Sequence, residues 1–500
     1  MRIPIFDDAM HISDICATLP LERCAAEPLF RQLYARLKDA ILCGALAPGA
    51  RLPPTRALCA ALAVSRQTVL NAYQQLTAEG YLCGSVGRGS FVSARLPIAA
   101  RAAPAVERAL MRPLPARGTA LAEAMASVRH HQGPLRAFRV SMPGLDLFPF
   151  ELWRRLEARR WRHPDQHFGY SDPAGFGPLR ELLCVYLRAA RGVQCSPGQI
   201  VITSGSQQAL YLLAALLLAP GDGVWVESPG YQGASAPMRA VGARVCAVPV
   251  DAEGMDVAYG ALHYPQARMV FATPSHQLPL GVTMSLQRRL ELLAWAAARR
   301  AWIIEDDYDS EYRYSGSPLA SLQGLDRADS VVYVGTLSKV LFPGLRLGYV
   351  VAPPALVEPL VRAKAVLDRH SAIVPQMVLA DFMAGGHFGR HIKRTRAAYA
   401  ERRAALIEGI GRHLGQELVC GPSDAGLDLC AHLRPGRDEA ALVRAAGRHG
   451  VELRGLAYYA ERGAPPACAV GPGLVLGFAA CTPAEIGHGI EQLVKALADP

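Results

Sequence analysis

The sequence predicts an α/β protein in which a small helical unit precedes a large domain built on a mostly parallel sheet. Three observations carry this expectation. Five hundred residues exceed what one hydrophobic core usually holds. Strand-like runs alternate with amphipathic helical stretches beyond residue 138. Between the two parts, residues 94–137 are rich in alanine, proline and arginine and show no sustained hydrophobic period. With 51% apolar and 19% charged residues, a mainly disordered chain is excluded.

Residues 1–26 form an N-terminal extension to which the sequence assigns no role. In the unit that follows, 27–93, Leu29, Leu33, Leu37 and Ile41 recur every fourth position and the pattern stops at Cys43-Gly44, which predicts a helix. The turn APGARLPP leads to a second short helix from about Thr55 to Ala63. Ser65 then caps a third, SRQTVLNAYQQLTAEG, ending at Gly80. Two helices across a tight turn make a helix-turn-helix. Val69, Ala72, Tyr73 and Leu76 share one face of the third helix, while Arg66, Gln67 and Thr68 occupy its exposed first turn. Side chains of these types, placed there, reach base edges and phosphates in a major groove. YLCGSVGRGSFVS (81–93) reads as two short strands around a glycine-rich turn, a wing with Arg88 at its tip. Residues 1–137 hold sixteen Lys/Arg against nine Asp/Glu, a balance that suits a polyanion.

The segment 94–137 reads as a tether with one short helix near Leu121 to Val128. A flexible chain of that length spans about 35 to 40 Å, comparable to one turn of DNA at roughly 34 Å.

In 138–500 the strand-like runs are QIVITSG (199–205), GVWVESP (223–229), ARMVFATP (267–274), AWIIEDDY (301–308) and SVVYVGT (330–336). Ligands collect at the loops after such strands. The first is followed by Gly205, Ser206 and Gln207 opening an apolar helix, where free amides and the helix dipole favour a phosphate. The second is followed by Tyr231, able to stack on a planar ring. The fourth ends in Asp306, Asp307 and Tyr308, the fifth in Thr336, Ser338 and Lys339, with Arg346 seven residues on. A strand-end lysine forms a Schiff base with an aldehyde, an aspartate keeps a pyridine nitrogen protonated, and hydroxyls with an arginine anchor a phosphate. Together these are the needs of pyridoxal 5′-phosphate.

Other chemistry is expected to be absent. Twelve cysteines without a CxxC pair fit a reducing cytosol, hence a cytoplasmic protein. The start MRIPIFDDAM is acidic, and the apolar stretch ALYLLAALLLAP is too short for a bilayer, so neither signal peptide nor membrane span is expected. HFGRH (387–391) lacks the adjacent glutamate of a zinc-protease motif and is read as a surface or core pair; no metal site is expected.

Residues 33–92 resemble the winged-helix domain of the GntR family of bacterial regulators. The resemblance implies contacts to double-stranded operator DNA from Arg56, Ser65, Arg66, Gln67, Thr68 and the Gly87-Arg88-Gly89 wing. Pro54 stands where that family often has a capping serine, which leaves Thr55 as the expected cap of the second helix. FGYSDPAGFGPLRELL, TSGSQQAL, ESPGYQG, IIEDDYDSEYRY and GTLSKVLFPGLRLGY resemble successive motifs of fold-type I aminotransferases. The combination is similar to the MocR/GabR-type regulators. It implies Lys339 as the Schiff-base lysine, Asp306 as partner of the pyridine nitrogen and Tyr308 as donor to the ring hydroxyl oxygen. It further implies Tyr231 stacked on the ring, the phosphate held by Arg346, Thr336, Ser338 and the Gly205-Ser206-Gln207 loop, and Tyr170 reaching the neighbouring subunit's phosphate in a head-to-tail homodimer.

Two functions remain open at this level. One is a regulator sensing pyridoxal phosphate itself, an amine or an amino acid; the other is a working aminotransferase carrying a DNA-binding head. A transaminase grips its substrate carboxylate with arginine. The two arginine places of γ-aminobutyrate-responsive relatives fall here on Gly233 and Ala457, which favours the regulator and leaves the effector open. Arg454 lies close in sequence without a motif to assign it.

Overall fold

The computed structural model describes residues 21–23, 25–85, 89–96, 113–124, 133–162, 164, 166–316 and 320–499. These fall into two compact units that divide after Pro113.

The first unit holds α1 (Leu29–Leu42), α2 (Thr55–Leu62), α3 (Arg66–Ala78) and an antiparallel pair, β1 (Leu82–Ser85) and β2 (Gly89–Val92). Leu33, Leu37, Leu58, Val69, Ala72 and Leu76 are fully buried and form its core. Burial of each large apolar side chain is worth about 1.5–3 kcal/mol. Ala63 turns left-handed at φ 50° and ends α2, and Ser65 Oγ accepts the Thr68 amide at 3.1 Å to start α3. The expected Thr55 cap is corrected: Thr55 is already the first helical residue, and Pro54 occupies the capping position without a side-chain hydrogen bond. Proline has no hydroxyl to accept an amide, yet its fixed φ of −58° aims the chain into the helix.

At the start of the second unit, α4 spans Ala116–Glu123 with Pro115 at its cap position. The helix expected near Leu121 to Val128 therefore starts earlier, because Pro115 sets its beginning. Residues 97–112 and 125–132 of the expected tether lie outside the described residues.

The large unit contains an eight-stranded sheet: β3 (Ile200–Thr203), β4 (Gly223–Ser228), β5 (Arg244–Asp251), β6 (Gly254–Met255), β7 (Ala267–Ala272), β8 (Trp302–Asp307), β9 (Val331–Thr336) and β10 (Gly348–Val351). The order is β3-β10-β9-β8-β7-β4-β5-β6. Strands β4, β5, β7, β8 and β9 run parallel, while β10 runs antiparallel between β3 and β9. All five strands expected from sequence are present. Every residue of β3, β4 and β9 is buried, as a sheet covered on both faces requires. The helices that position the site are α5 (Gly177–Arg191), α6 (Ser206–Leu217) and α7 (Gln232–Ala240).

A second sheet, not anticipated from sequence, is antiparallel: β11 (Leu418–Cys420), β12 (Asp428–Leu433), β14 (Gly473–Gly477) and β13 (Arg454–Gly455), in that order across the sheet. Phe138, fully buried, inserts into its core and bridges Gly477. Among the described residues no helix is long and apolar enough to cross a membrane.

Candidate functional site

Parallel strands deliver their C-terminal ends to one edge of the sheet. There the loops after β3, β4, β7, β8 and β9 enclose a cavity of about 220 Å³. Of the sequence-predicted residues, Ser206, Gln207, Tyr231, Asp306, Tyr308, Thr336, Ser338, Lys339 and Arg346 line it.

Asp306 and Asp307 are neighbours at the end of β8, so strand alternation sends their side chains to opposite faces. Asp307 Oδ2 takes Arg191 Nε at 2.8 Å and the Tyr333 hydroxyl at 2.5 Å. Asp306 faces the cavity, and its buried Oδ1 has no hydrogen-bond partner. Burial, with Asp307 adding to it, pushes the Asp306 pKa up to about 7.

Lys339 follows β9, and its Nζ donates to the Ser141 carbonyl at 2.7 Å. Burial lowers its pKa, against the opposing pull of Asp428, Asp309 and Asp306. Thr336 Oγ1 accepts the Ser338 amide at 3.2 Å, fixing the turn that carries the lysine.

Arg346 is left-handed at φ 53° and its Nη2 donates to the Ser204 carbonyl at 3.0 Å. Gly205 adjoins it: a Cβ there would lie 3.0 Å from Arg346 Nη2. Gly205 opens α6 without a side-chain cap, so the helix N-terminus and the guanidinium face the same space. Tyr231 lies over Gly233, where a Cβ would stand 2.3 Å from the ring. Gln207 Nε2 donates to the Gly233 carbonyl at 2.9 Å. Tyr308 Oη lies 2.9 Å from His276 Nδ1, which also lies 3.1 Å from both Asp309 oxygens. Burial disfavours the His276 imidazolium, but Asp309 outweighs it and the pKa is raised. Tyr170 is not in the cavity: it is 81% exposed, with the Arg369 guanidinium 4.2 Å above its ring.

In the first unit Arg56, Ser65, Arg66 and Gln67 are exposed and Thr68 is half-buried. Ser65 and Thr68 are committed to the cap of α3, and Gln67 Nε2 donates to Asn71 Oδ1 at 2.7 Å. Gly89, at φ 98°, begins β2 beside the exposed Arg51. Gly87 and Arg88 lie outside the described residues.

Residues 29–92 match the bacterial regulatory proteins of the gntR family, and residues 145–493 match aminotransferase class I and II. The chain is 39% identical over 481 residues to the probable rhizopine catabolism regulatory protein MocR of Rhizobium meliloti, covering 96% of this chain and 95% of that protein. The chain belongs to the MocR/GabR-type regulators. Its likeness to the pyridoxine biosynthesis transcriptional regulator PdxR of Corynebacterium glutamicum is 31% over 445 residues, covering 89% and 92%. The fold matches a kynurenine aminotransferase of Pyrococcus horikoshii, solved with PMP, at TM-score 0.67 and 29% identity over 73% of this chain and 91% of that one. This MocR/GabR-type chain is a DNA-binding transcriptional regulator with an aminotransferase-like domain.

Sequence reasoning missed four residues of this regulator's cavity region. Thr273 and His276 follow β7, and the rule that sends ligands to strand ends would have found them. Ser141 and Asp428 are 287 positions apart, and no motif joins them. Arg51 beside the wing was also missed.

Proposed function

We propose that the chain is a pyridoxal 5′-phosphate-dependent regulator whose large unit senses a small molecule and whose winged helix binds operator DNA. The carrying observation is the cavity that gathers Lys339, the unpartnered Asp306 carboxylate and Arg346.

The residues present fit the cofactor. A buried carboxylate oxygen without a donor, on a group held near pH 7 by burial, suits a protonated pyridine nitrogen. The Arg346 guanidinium, packed against Gly205 at the N-terminus of α6 and lining the cavity with Ser206, suits a phosphate. Lys339 would hold the aldehyde carbon, Asp306 the ring nitrogen, Tyr308 the ring hydroxyl and Tyr231 the ring face. Arg346, Thr336, Ser338, Gly205, Ser206 and Gln207 would hold the phosphate. Bound there, the cofactor supplies an aldehyde that captures amines and a ring that withdraws electrons. Burial favours the neutral, nucleophilic amine of Lys339. Asp309, through His276, orients the Tyr308 hydroxyl.

Exposure of Tyr170 and Arg346 supports a head-to-tail homodimer in which Tyr170 completes the neighbouring phosphate site. The head contacts DNA through Arg56, Ser65, Arg66, Gln67, Thr68 and the Gly87-Arg88-Gly89 wing. The protein works in the cytoplasm, without membrane or metal, as a sensor rather than as a turnover enzyme.

The test is the visible absorption of the purified chain after incubation with pyridoxal phosphate. A lysine-bound chromophore is expected in the wild type and its loss in Lys339→Ala; an unchanged band in the variant would refute the assignment.

A further inference from the structure

One nitrogen of His276 is claimed by two groups at once. Both Asp309 oxygens lie 3.1 Å from Nδ1, and Tyr308 Oη lies 2.9 Å from it. Nδ1 has room for a single proton, so each contact fixes the direction of the other. A carboxylate only accepts, which places that proton on Nδ1 and aims it at Asp309, whether the ring is neutral or doubly protonated. A nitrogen already bearing a proton accepts no other. The Tyr308 hydroxyl therefore cannot donate to His276, and its hydrogen is turned elsewhere.

The surroundings leave the cavity as that direction. The carboxylates whose charge reaches Tyr308 include Asp309, Asp428, Asp306 and Glu227, and Arg313 acts on His276. Asp309 is taken by the imidazole. Asp428 accepts the Ser141 amide at 2.7 Å and the Ser141 hydroxyl at 2.9 Å. Glu227 accepts the Thr273 hydroxyl at 2.6 Å. Asp306 lines the cavity itself, as Tyr308 does. Among the described residues Tyr308 Oη has no hydrogen-bond partner besides His276. His276 and Asp309 are both buried, and a Cβ at Gly426 would overlap the imidazole, so the ring is held closely in place.

We infer that His276 is a positioning residue: with its Nδ1 proton held by Asp309, it obliges the Tyr308 hydroxyl to donate into the cavity. This role rests on the pyridoxal phosphate reading above and adds to it the pair that sets the polarity of the tyrosine. Without either member the hydroxyl turns round. A leucine at 276 leaves the Asp309 carboxylate bare, and that acceptor draws the hydroxyl hydrogen to itself. A leucine at 309 lets the imidazole keep its proton on Nε2, and Nδ1 becomes the acceptor. In both cases the cavity loses a donor while Tyr308 is still present.

A donor to the cofactor's ring oxygen favours the form from which the proton shared by that oxygen and the Lys339 nitrogen has left, and so lowers the pH at which it leaves. The test titrates the visible spectrum of the full chain, loaded with pyridoxal phosphate, against pH. Tyr308→Phe should raise the midpoint by about one unit relative to the wild type. His276→Leu and Asp309→Leu should raise it by about as much. His276→Asn, whose side-chain N–H takes the place of Nδ1–H, should keep it within about 0.3 units of the wild type. An unmoved midpoint in Tyr308→Phe or in either leucine variant overturns the inference, and so does a larger rise in His276→Asn. If neither leucine variant holds the cofactor, His276→Asn decides in the same terms. A wild-type protein without any visible band overturns the cofactor reading itself, which keeps the two failures distinct.

Discussion

The winged helix and the cofactor cavity handle charge in opposite ways. Arg56, Arg66 and Gln67 stand in solvent at the surface of a small core. Asp306, Lys339 and Tyr308 sit at a sheet edge where burial displaces the protonation equilibrium of each. A polyanion many times longer than the domain is met by charges kept hydrated until contact, whose attraction reaches outward and fades with salt. A small cofactor is met by charges already stripped of water, whose cost is offset when the complementary group arrives. The charges of the head cost little before contact, whereas those of the cavity carry a desolvation cost that a bound cofactor would offset.

The largest way to sharpen this contrast is Asp306→Ala. Loss of a charge-assisted hydrogen bond should weaken pyridoxal phosphate binding about 10- to 100-fold, measured by equilibrium dialysis. Binding of the cofactor-free variant to DNA should match that of the cofactor-free wild type. Next is Arg66→Ala, expected to lower affinity for DNA selected from a random pool by about tenfold and to relax preference at one base pair. The slope of log affinity against log salt should fall by about one. A Lys339→Ala protein should keep the full salt slope.

The buried carboxyls of the large sheet also predict a pH dependence. Asp306, Glu227 and Glu305 are each raised by burial to about 7. Carboxyls raised on folding favour the folded state below their unfolded pKa of about 4 and lose that advantage as pH rises to about 7. Stability of the cofactor-free large unit in urea should fall across that window, and Asp306→Asn should reduce the slope. The smallest effect concerns the head: Ser65→Ala removes the α3 cap and should cost about 1 kcal/mol, visible as a drop of a few degrees in its melting temperature.

What the sequence made legible was local. Gly205, Tyr231, Asp306 and Lys339 each sit at or just beyond the end of a strand with a continuous apolar run, and parallel strands bring such ends together whatever lies between them. The choice of Asp306 over Asp307 came from the resemblance to aminotransferase motifs, and the two-residue period of β8 explains only why the two face opposite ways. The partnership of Ser141 with Asp428 depends on how a separate antiparallel sheet docks beside the first, which no short pattern records. The start of α4 was misplaced because alanine-rich stretches carry little hydrophobic phase, leaving Pro115 as the informative residue. The missing cap on α2 shows the reverse case, where a family habit at one position misled and the backbone angle of Pro54 decided.

Ser141 stands four residues beyond Ala137, where the chain joins the buried core around Phe138. In the proposed function its carbonyl and the cofactor compete for the same lysine. When Lys339 turns to the cofactor, the first stretch of the large unit gives up one hydrogen bond, worth about 1 kcal/mol. Arg139 paired with Glu452, and the buried Phe138 ring, are left to hold this stretch. In the proposed function, whether Lys339 is taken up by the cofactor would thereby set how firmly residues 137–141 are held within the large unit.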